Sequence, residues 1–224
     1  MSTLPITCET PGALRALVSE GGRHYVKLAF ADADLSNLDL SGCTFEDCDL
    51  AGVALRHADL RETHWQRCRM GHVRFDGIKA QGAAFTACDL ANSEWRNARI
   101  DGASFSDCRL TGAQLNIDIG LIGATFAQTR LVAATIIGLS MRKMTLDHLD
   151  FSDADLRGCD FREAIFEGGS LRGAAFKDCR FKDADLRNCE LGELSLAQAT
   201  LLQGAIISHE QAAQIMTTFG FVVA

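Results

Sequence analysis

The chain has 224 residues, of which 47% are apolar and 23% charged, and its net charge of −7 corresponds to a pI near 5.3. These values predict one elongated domain with a continuous apolar core. The sequence contains no run of about 18 apolar residues, which excludes a transmembrane helix, and its start lacks the basic region and apolar run of a signal peptide. We therefore expect a cytoplasmic protein.

Residues 1–24 form the first predicted element, an N-terminal cap that contains a short helix. Thr10 is the predicted N-cap, Pro11 the first helical residue and Gly21–Gly22 the end of the helix. A repeat protein needs its open end covered, because an exposed sheet edge recruits other chains. Capping is the simplest role for this segment.

Residues 25–207 carry a repeat with a period of five. Every fifth residue from Phe30 to Ile206 is large and apolar, apart from Ala80, and one extra residue is inserted near 116–120. A small side chain usually stands two residues before each large one. This period is neither helical nor that of an ordinary strand, so it predicts a repeat architecture in which each unit buries its apolar side against its neighbours.

Four pentapeptides that each form one side of a square coil would close a turn every 20 residues, giving about nine coils. The sequences Ala33-Asp34-Leu35-Ser36-Asn37 and Ala184-Asp185-Leu186-Arg187-Asn188 resemble the consensus of the pentapeptide repeat family, A-(D/N)-L-x-x. That resemblance covers about four fifths of the chain. It implies an all-β solenoid, specifically a right-handed quadrilateral β-helix. The patterns of residues 1–24 and 208–224 add a short capping helix at each end, and the N-terminal one is extra to the family pattern.

The cysteines and aromatic residues follow the same repeat. Eight of the nine cysteines fall on the small inward position, where a thiol packs as a small apolar group. We therefore expect structural cysteines and neither a metal site nor a cofactor. Large aromatic residues recur on one side of the predicted coil, and we expect them to stack inside it as a ladder: Phe45, Trp65, Phe85, Phe105 and Phe126.

The outward positions around the insertion are unusually apolar. Four residues there are predicted to face solvent: Ile117, Ile122, Val132 and Ile137. Such an apolar patch on an otherwise charged surface indicates a contact site for another protein. The alternative is a local bulge that folds these side chains back onto the coil, and the sequence does not separate the two interpretations.

Residues 208–224 are predicted to form a C-terminal helix and tail. Ser208 and Gln211 have the spacing of a capping box, and Gly220 is the predicted end of the helix. The segment from Glu190 to Val223 is similar to the Qnr and MfpA branch of the family in order and spacing. That resemblance implies a homodimer joined end to end through apolar residues of the helix and tail: Ile215, Met216, Phe219, Phe221 and Val222.

No catalytic motif is present in the sequence. It has no glycine-rich phosphate loop, nucleophile elbow or paired-histidine metal motif, and His57, His64 and His72 fall on three different faces of the predicted coil. We therefore expect a protein that is not an enzyme.

Excess negative charge concentrates on two adjacent faces of the predicted coil. The face that starts at Phe45 carries six acidic residues against two basic ones: Glu46, Asp47, Asp107, Asp147, Glu167 and Asp185. An acidic side offers long-range attraction to a basic DNA-binding groove. The alternative is that this charge serves only solubility.

Resemblance to the Qnr and MfpA branch implies a DNA-mimicking protein that binds a type II topoisomerase, DNA gyrase or topoisomerase IV. It implies modulation of that enzyme and protection from quinolones or a gyrase-poisoning peptide, with no direct contact to nucleic acid or membrane. Several Qnr proteins carry loops that project from the coils, and the unbroken repeat of this sequence leaves no room for the first of them. The resemblance therefore supports protection from quinolones less directly than it supports binding to the topoisomerase. The alternative function is a non-catalytic adaptor or effector that binds another protein through one face.

Overall fold

The computed structural model describes residue 16 and residues 23–30, 32–117 and 122–223. Apart from residue 16, the predicted N-terminal helix lies outside these ranges, and so does most of the inserted segment. The chain forms two compact units, residues 1–125 and 126–224. Each is described by itself below.

In the first unit, five short parallel strands follow one another at intervals of 20 residues. They are β1 (His24–Val26), β2 (Thr44–Glu46), β3 (His64–Gln66), β4 (Ala84–Thr86) and β5 (Ser104–Ser106). The other three sides of each turn are joined by single parallel bridges with the same step, as between Asp34 and Ala54 or Asp49 and Arg69. Each pentapeptide is therefore one side of a four-sided coil, as predicted.

The second unit continues the same design and ends in two helices. Its strands are β6 (Thr125–Ala127, which begins at the unit boundary), β7 (Thr145–Asp147) and β8 (Ile165–Glu167), and its helices are α1 (Leu196–Leu201) and α2 (His209–Thr218). β7 and β8 pair in parallel with Leu146 beside Phe166. This arrangement identifies the chain as a parallel β-solenoid.

A left-handed residue forms the corner between successive sides. In the turn from Leu40 to Cys43, the Cys43 amide donates to the Leu40 carbonyl at 3.0 Å, and Gly42 between them has φ of 65°. A positive φ at the third residue is the feature of a type II turn, which favours Gly and Asn. The same corner position is occupied by Asn37 and Asp47, with φ of 61° and 53°. The corner geometry explains why Gly, Asn and Asp recur there.

The predicted core series is confirmed except at its end. The large inward residues from Phe30 to Leu115 are buried, but Leu196 and Ile206 are 67% and 47% exposed. Predicting them as core was wrong because a capping box of Ser195 and Gln198 starts α1 at Leu196 and takes the chain out of the coil. The solenoid accordingly has about seven turns rather than nine.

The predicted aromatic ladder is present in the first unit. Phe45 stacks on Trp65 with ring centroids 4.1 Å apart, and Phe85 stacks on Phe105 at 5.0 Å. Tyr25 extends the ladder by one rung, stacking on Phe45 at 4.9 Å. The five-residue series began at Phe30 and missed Tyr25, although it lies 20 residues before Phe45.

Both tryptophans have a hydroxyl partner in the small inward position. The Trp65 indole N–H donates to Thr63 Oγ1 at 2.9 Å, and that hydroxyl donates to the Leu60 carbonyl at 2.7 Å. Trp95 donates to Ser93 Oγ at 2.7 Å in the same way. A buried indole N–H needs such a partner. The sequence therefore replaces the usual Ala or Cys by Thr or Ser two residues before each tryptophan.

The eight cysteines described are free and buried, as the sequence predicted. In one column, Cys68 Sγ lies 3.4 Å from the Phe45 carbonyl and Cys88 Sγ 3.4 Å from the Trp65 carbonyl. Burial raises the pKa of Cys159 to about 12 and that of Cys179 to about 11. Cys159 and Cys179 therefore stay protonated at neutral pH and act as packing groups rather than nucleophiles.

Candidate partner-binding surfaces

The predicted acidic residues of the first unit lie beside its strands, and two of them have basic partners. The Asp47 carboxylate accepts a hydrogen bond from Arg67 Nε at 2.7 Å, and this bond lowers the pKa of Asp47. Glu46 lies 2.9 Å from His24 Nε2. Asp107 is exposed, accepts a hydrogen bond from Ser106 at 3.1 Å, and makes no ion pair within the described residues.

The second unit holds the other three predicted acidic residues in a similar state. Asp147 lies 2.6 Å from His148 Nδ1, and Asp185 is held by two hydrogen bonds from Arg187 at 2.9 and 2.6 Å. Glu167 is exposed and has no ion pair among the residues that the structure describes. Four of the six carboxylates thus have a basic neighbour, and Asp107 and Glu167 present the less compensated charge.

The Asp185–Arg187 pair belongs to a local motif that recurs elsewhere in the coils, and the charge count by face did not reveal it. An Asp immediately before a large inward residue and an Arg immediately after it point outward together and join in a two-pronged ion pair. The pattern recurs in four pairs: Asp59–Arg61, Asp155–Arg157, Asp160–Arg162 and Asp185–Arg187. The sequence D-L-R or D-F-R is the signal that predicts it.

The predicted apolar patch is only partly exposed. Ile117 is 6% exposed, so the prediction that it faces solvent is wrong: the chain folds this side chain inward where the repeat is interrupted. Ile122 is 72% exposed in the first unit. In the second unit, Ile137 is exposed and Val132 is half-buried.

The C-terminal helix is attached to the last coil through Gln211. Its side-chain oxygen accepts from the Ser208 amide at 2.7 Å, completing the predicted capping box. Its amide nitrogen donates to the carbonyls of Leu186 and Cys189, both at 2.7 Å. One side chain therefore starts α2 and also satisfies carbonyls at the end of the coil.

Apolar side chains remain exposed on this helix and tail. No residue of α2 is buried. Of the residues predicted to join two copies, Met216, Phe221 and Val222 are exposed, Val222 at 95%, whereas Ile215 and Phe219 are half-buried. Such a surface is typical of a protein contact.

The described part of the chain offers no site for metal chemistry. Within it, no group of three His, Cys, Asp or Glu side chains is placed to hold a metal ion. Neither helix among the described residues is long and apolar enough to cross a membrane. What the geometry provides is a set of regular, charged and apolar surfaces suited to binding.

Two family models match the sequence. The model described as a pentapeptide repeat region matches residues 57–118, and the model described as pentapeptide repeats (8 copies) matches residues 30–77 and 145–183. The chain belongs to the pentapeptide repeat family. No curated protein matches the sequence of this pentapeptide repeat protein.

Solved structures of other pentapeptide repeat proteins share its fold. Full-length QnrB1, a plasmid-mediated fluoroquinolone resistance protein, matches with a TM-score of 0.69 and 21% identity over 88% of this chain and 100% of QnrB1. A trypsin-treated form of QnrB1 gives 0.64 and 24% over 91% and 100%. HetL, involved in regulation of heterocyst differentiation in the cyanobacterium Nostoc, gives 0.55 and 16% over 92% of both chains. These likenesses establish the solenoid.

Proposed function

We propose that this pentapeptide repeat protein binds a type II topoisomerase, DNA gyrase or topoisomerase IV, as a non-catalytic DNA mimic. The observation that carries the proposal is the exposure of uncompensated carboxylates beside the strands, Asp107 in the first unit and Glu167 in the second. The fold shared with QnrB1, a fluoroquinolone resistance protein, supports the choice of partner. Modulation of the enzyme, including relief from quinolones, is the proposed consequence.

The spacing of the acidic residues along the coils decides how closely this surface can copy the charge of DNA. Successive coils carry their outward residues about 4.8 Å apart, the spacing of neighbouring strands. A DNA duplex places one phosphate charge per about 1.7 Å of its axis. Because ion pairs such as Asp47–Arg67 further reduce the net field, the protein offers long-range attraction to a basic groove rather than a copy of DNA charge for charge.

The C-terminal surface completes the proposal. Phe221 and Val222 are exposed beyond α2, and we propose that they join two copies end to end. Replacing Phe221 with Asp is expected to convert that dimer into a monomer in analytical ultracentrifugation. An unchanged sedimentation coefficient would remove this contact from the proposal.

The binding surface is tested with a charge-matched pair of variants. Asp107→Asn with Glu167→Gln removes the two strand-side carboxylates that lack a basic neighbour, whereas the control Asp101→Asn with Asp178→Asn removes two acidic charges from other sides of the coils. Affinity for purified gyrase is expected to fall in the first variant and to persist in the control. The affinity of the native protein is expected to weaken steeply with added salt. Equal affinities for both variants would contradict binding through the strand-side carboxylates.

A second function is favoured by one specific observation, the exposure of Ile122 and Ile137. In that case the protein is an adaptor or effector that binds a different protein through apolar contacts. Substituting both isoleucines with Ser would abolish that binding, and added salt would not weaken it. Gyrase affinity that is insensitive to the carboxylate variants but lost on these substitutions would favour this second function.

A further inference from the structure

A ladder of alternating charge runs along one side of the first unit. Asp49, Arg69, Asp89 and Arg109 occupy the same position in four successive coils, each bridged to the next through the backbone. Arg69 Nη1 lies 3.0 Å from Asp49, and Arg109 Nε lies 2.9 Å from Asp89. Arg69 is still 72% exposed at its side chain, so it retains donors that face outward.

A groove runs directly beside this ladder. Its volume is about 330 Å3, and it is lined on one side by Arg69, Asp89 and Arg109 and on the other by His72 and Asn92. Its floor is a column of small residues one coil apart: Ala51, Gly71 and Ala91. The surface thus consists of a charged ridge with a parallel groove next to it.

The ladder is self-complementary. Reading the ladder backwards exchanges the two signs, so a two-fold axis midway between Arg69 and Asp89 places each Arg opposite an Asp of a second copy. This axis lies in the interface and runs across the coils, so the ridge of one copy faces the ridge of the other, and the same patch is used by both copies, as an isologous interface requires. A uniformly acidic or basic partner would instead meet like charge at every second rung.

We propose that this side of the first unit is a lateral interface for a second copy of the same chain. The contact is distinct from the proposed end-to-end contact of the tail, and it does not depend on topoisomerase binding. Exposed ion pairs in water are individually weak, so the association is expected to be reversible and salt-sensitive. The specificity of this contact comes from its register. If one copy moves along the other by one coil, like charges face each other along the whole ladder.

Complementary ladder variants test the proposal in full-length protein that also carries Phe221→Asp, which removes the tail contact. One variant makes the ladder wholly acidic (Arg69→Glu with Arg109→Glu), and the other makes it wholly basic (Asp49→Lys with Asp89→Lys). By sedimentation equilibrium, each alone is expected to self-associate at least about tenfold more weakly than the parent protein, because like charges now oppose each other. An equimolar mixture is expected to regain association as heterodimers.

One control separates a specific interface from general charge attraction. Asp59→Lys with Asp101→Lys adds the same positive charge away from the ladder, and this variant is expected not to associate with the acidic-ladder protein. Failure of the ladder variants to associate on mixing, or association of the acidic-ladder protein with the control, would overturn the proposal.

Discussion

The hydrogen bond between Trp65 and Thr63 allows a quantitative test of the coil interior. Both side chains are buried, and the hydroxyl links the indole N–H at 2.9 Å to the Leu60 carbonyl at 2.7 Å. Thr63→Val keeps the shape but leaves the N–H without its hydroxyl acceptor. An unsatisfied buried polar group costs about 1–3 kcal/mol, and we expect the free energy of unfolding to fall by that amount.

Trp65→Phe supplies the matched second substitution. Val occupies the small position at Val53 and Val73, and Phe occupies the large position of this column at Phe45 and Phe85, so both replacements have precedents in the coil. With Phe at position 65 there is no N–H that needs an acceptor, so Thr63→Val should then change the free energy of unfolding only slightly. We expect a coupling free energy of at least about 1 kcal/mol in a double-mutant cycle measured by urea denaturation. If the two substitutions are additive within about 0.3 kcal/mol, the claim that the Trp65 N–H depends on the Thr63 hydroxyl is refuted.

Three further predictions concern other parts of the chain. Gln211→Leu removes three hydrogen bonds that hold α2, so amide exchange in residues 209–218 is expected to accelerate while exchange in the coils stays slow; equal acceleration in both would show that α2 does not open separately. Gly138→Ala is expected to destabilise by about 1–2 kcal/mol, because φ is 72° and no atom lies near the added Cβ, whereas Ala133→Gly at φ of 53° should be neutral or stabilising; the reverse order in thermal denaturation would contradict the corner geometry. Burial raises the pKa of Cys159 and Cys189 to about 12 from an ordinary 9.0, so the folded state holds these protons more tightly than the unfolded chain. Their contribution to stability is complete below about pH 9 and lost as the pH rises toward 12, and Cys159→Ala should reduce that loss in pH-dependent denaturation.

Much of the solenoid could be predicted because its period is written directly in the sequence. The position of Phe45 fixes those of Trp65 and Phe85 20 and 40 residues later, and the structure stacks all three. The C-terminal end was predicted less well. Leu196 fits the five-residue series, but Ser195 and Gln198 start a helix there, and this local capping signal outweighs one apolar position.

The candidate surfaces could be predicted only in part, since side-chain reach is not visible in a count of charges. Arg67 extends to Asp47 one coil away, and Arg187 pairs with Asp185 within its own pentapeptide. Both interactions reduce the net field of the strand side. Ile117 shows a second limit, because an inserted residue shifts the inward and outward positions locally and the period no longer says which way a side chain points.

Gyrase supercoiling with purified protein titrated in, with and without a quinolone, tests the central claim most directly. The proposal predicts inhibition of supercoiling or rescue from the drug, both weakened by Asp107→Asn with Glu167→Gln and retained by Asp101→Asn with Asp178→Asn. Supercoiling that is unchanged by the native protein over a wide concentration range, with and without drug, would contradict it.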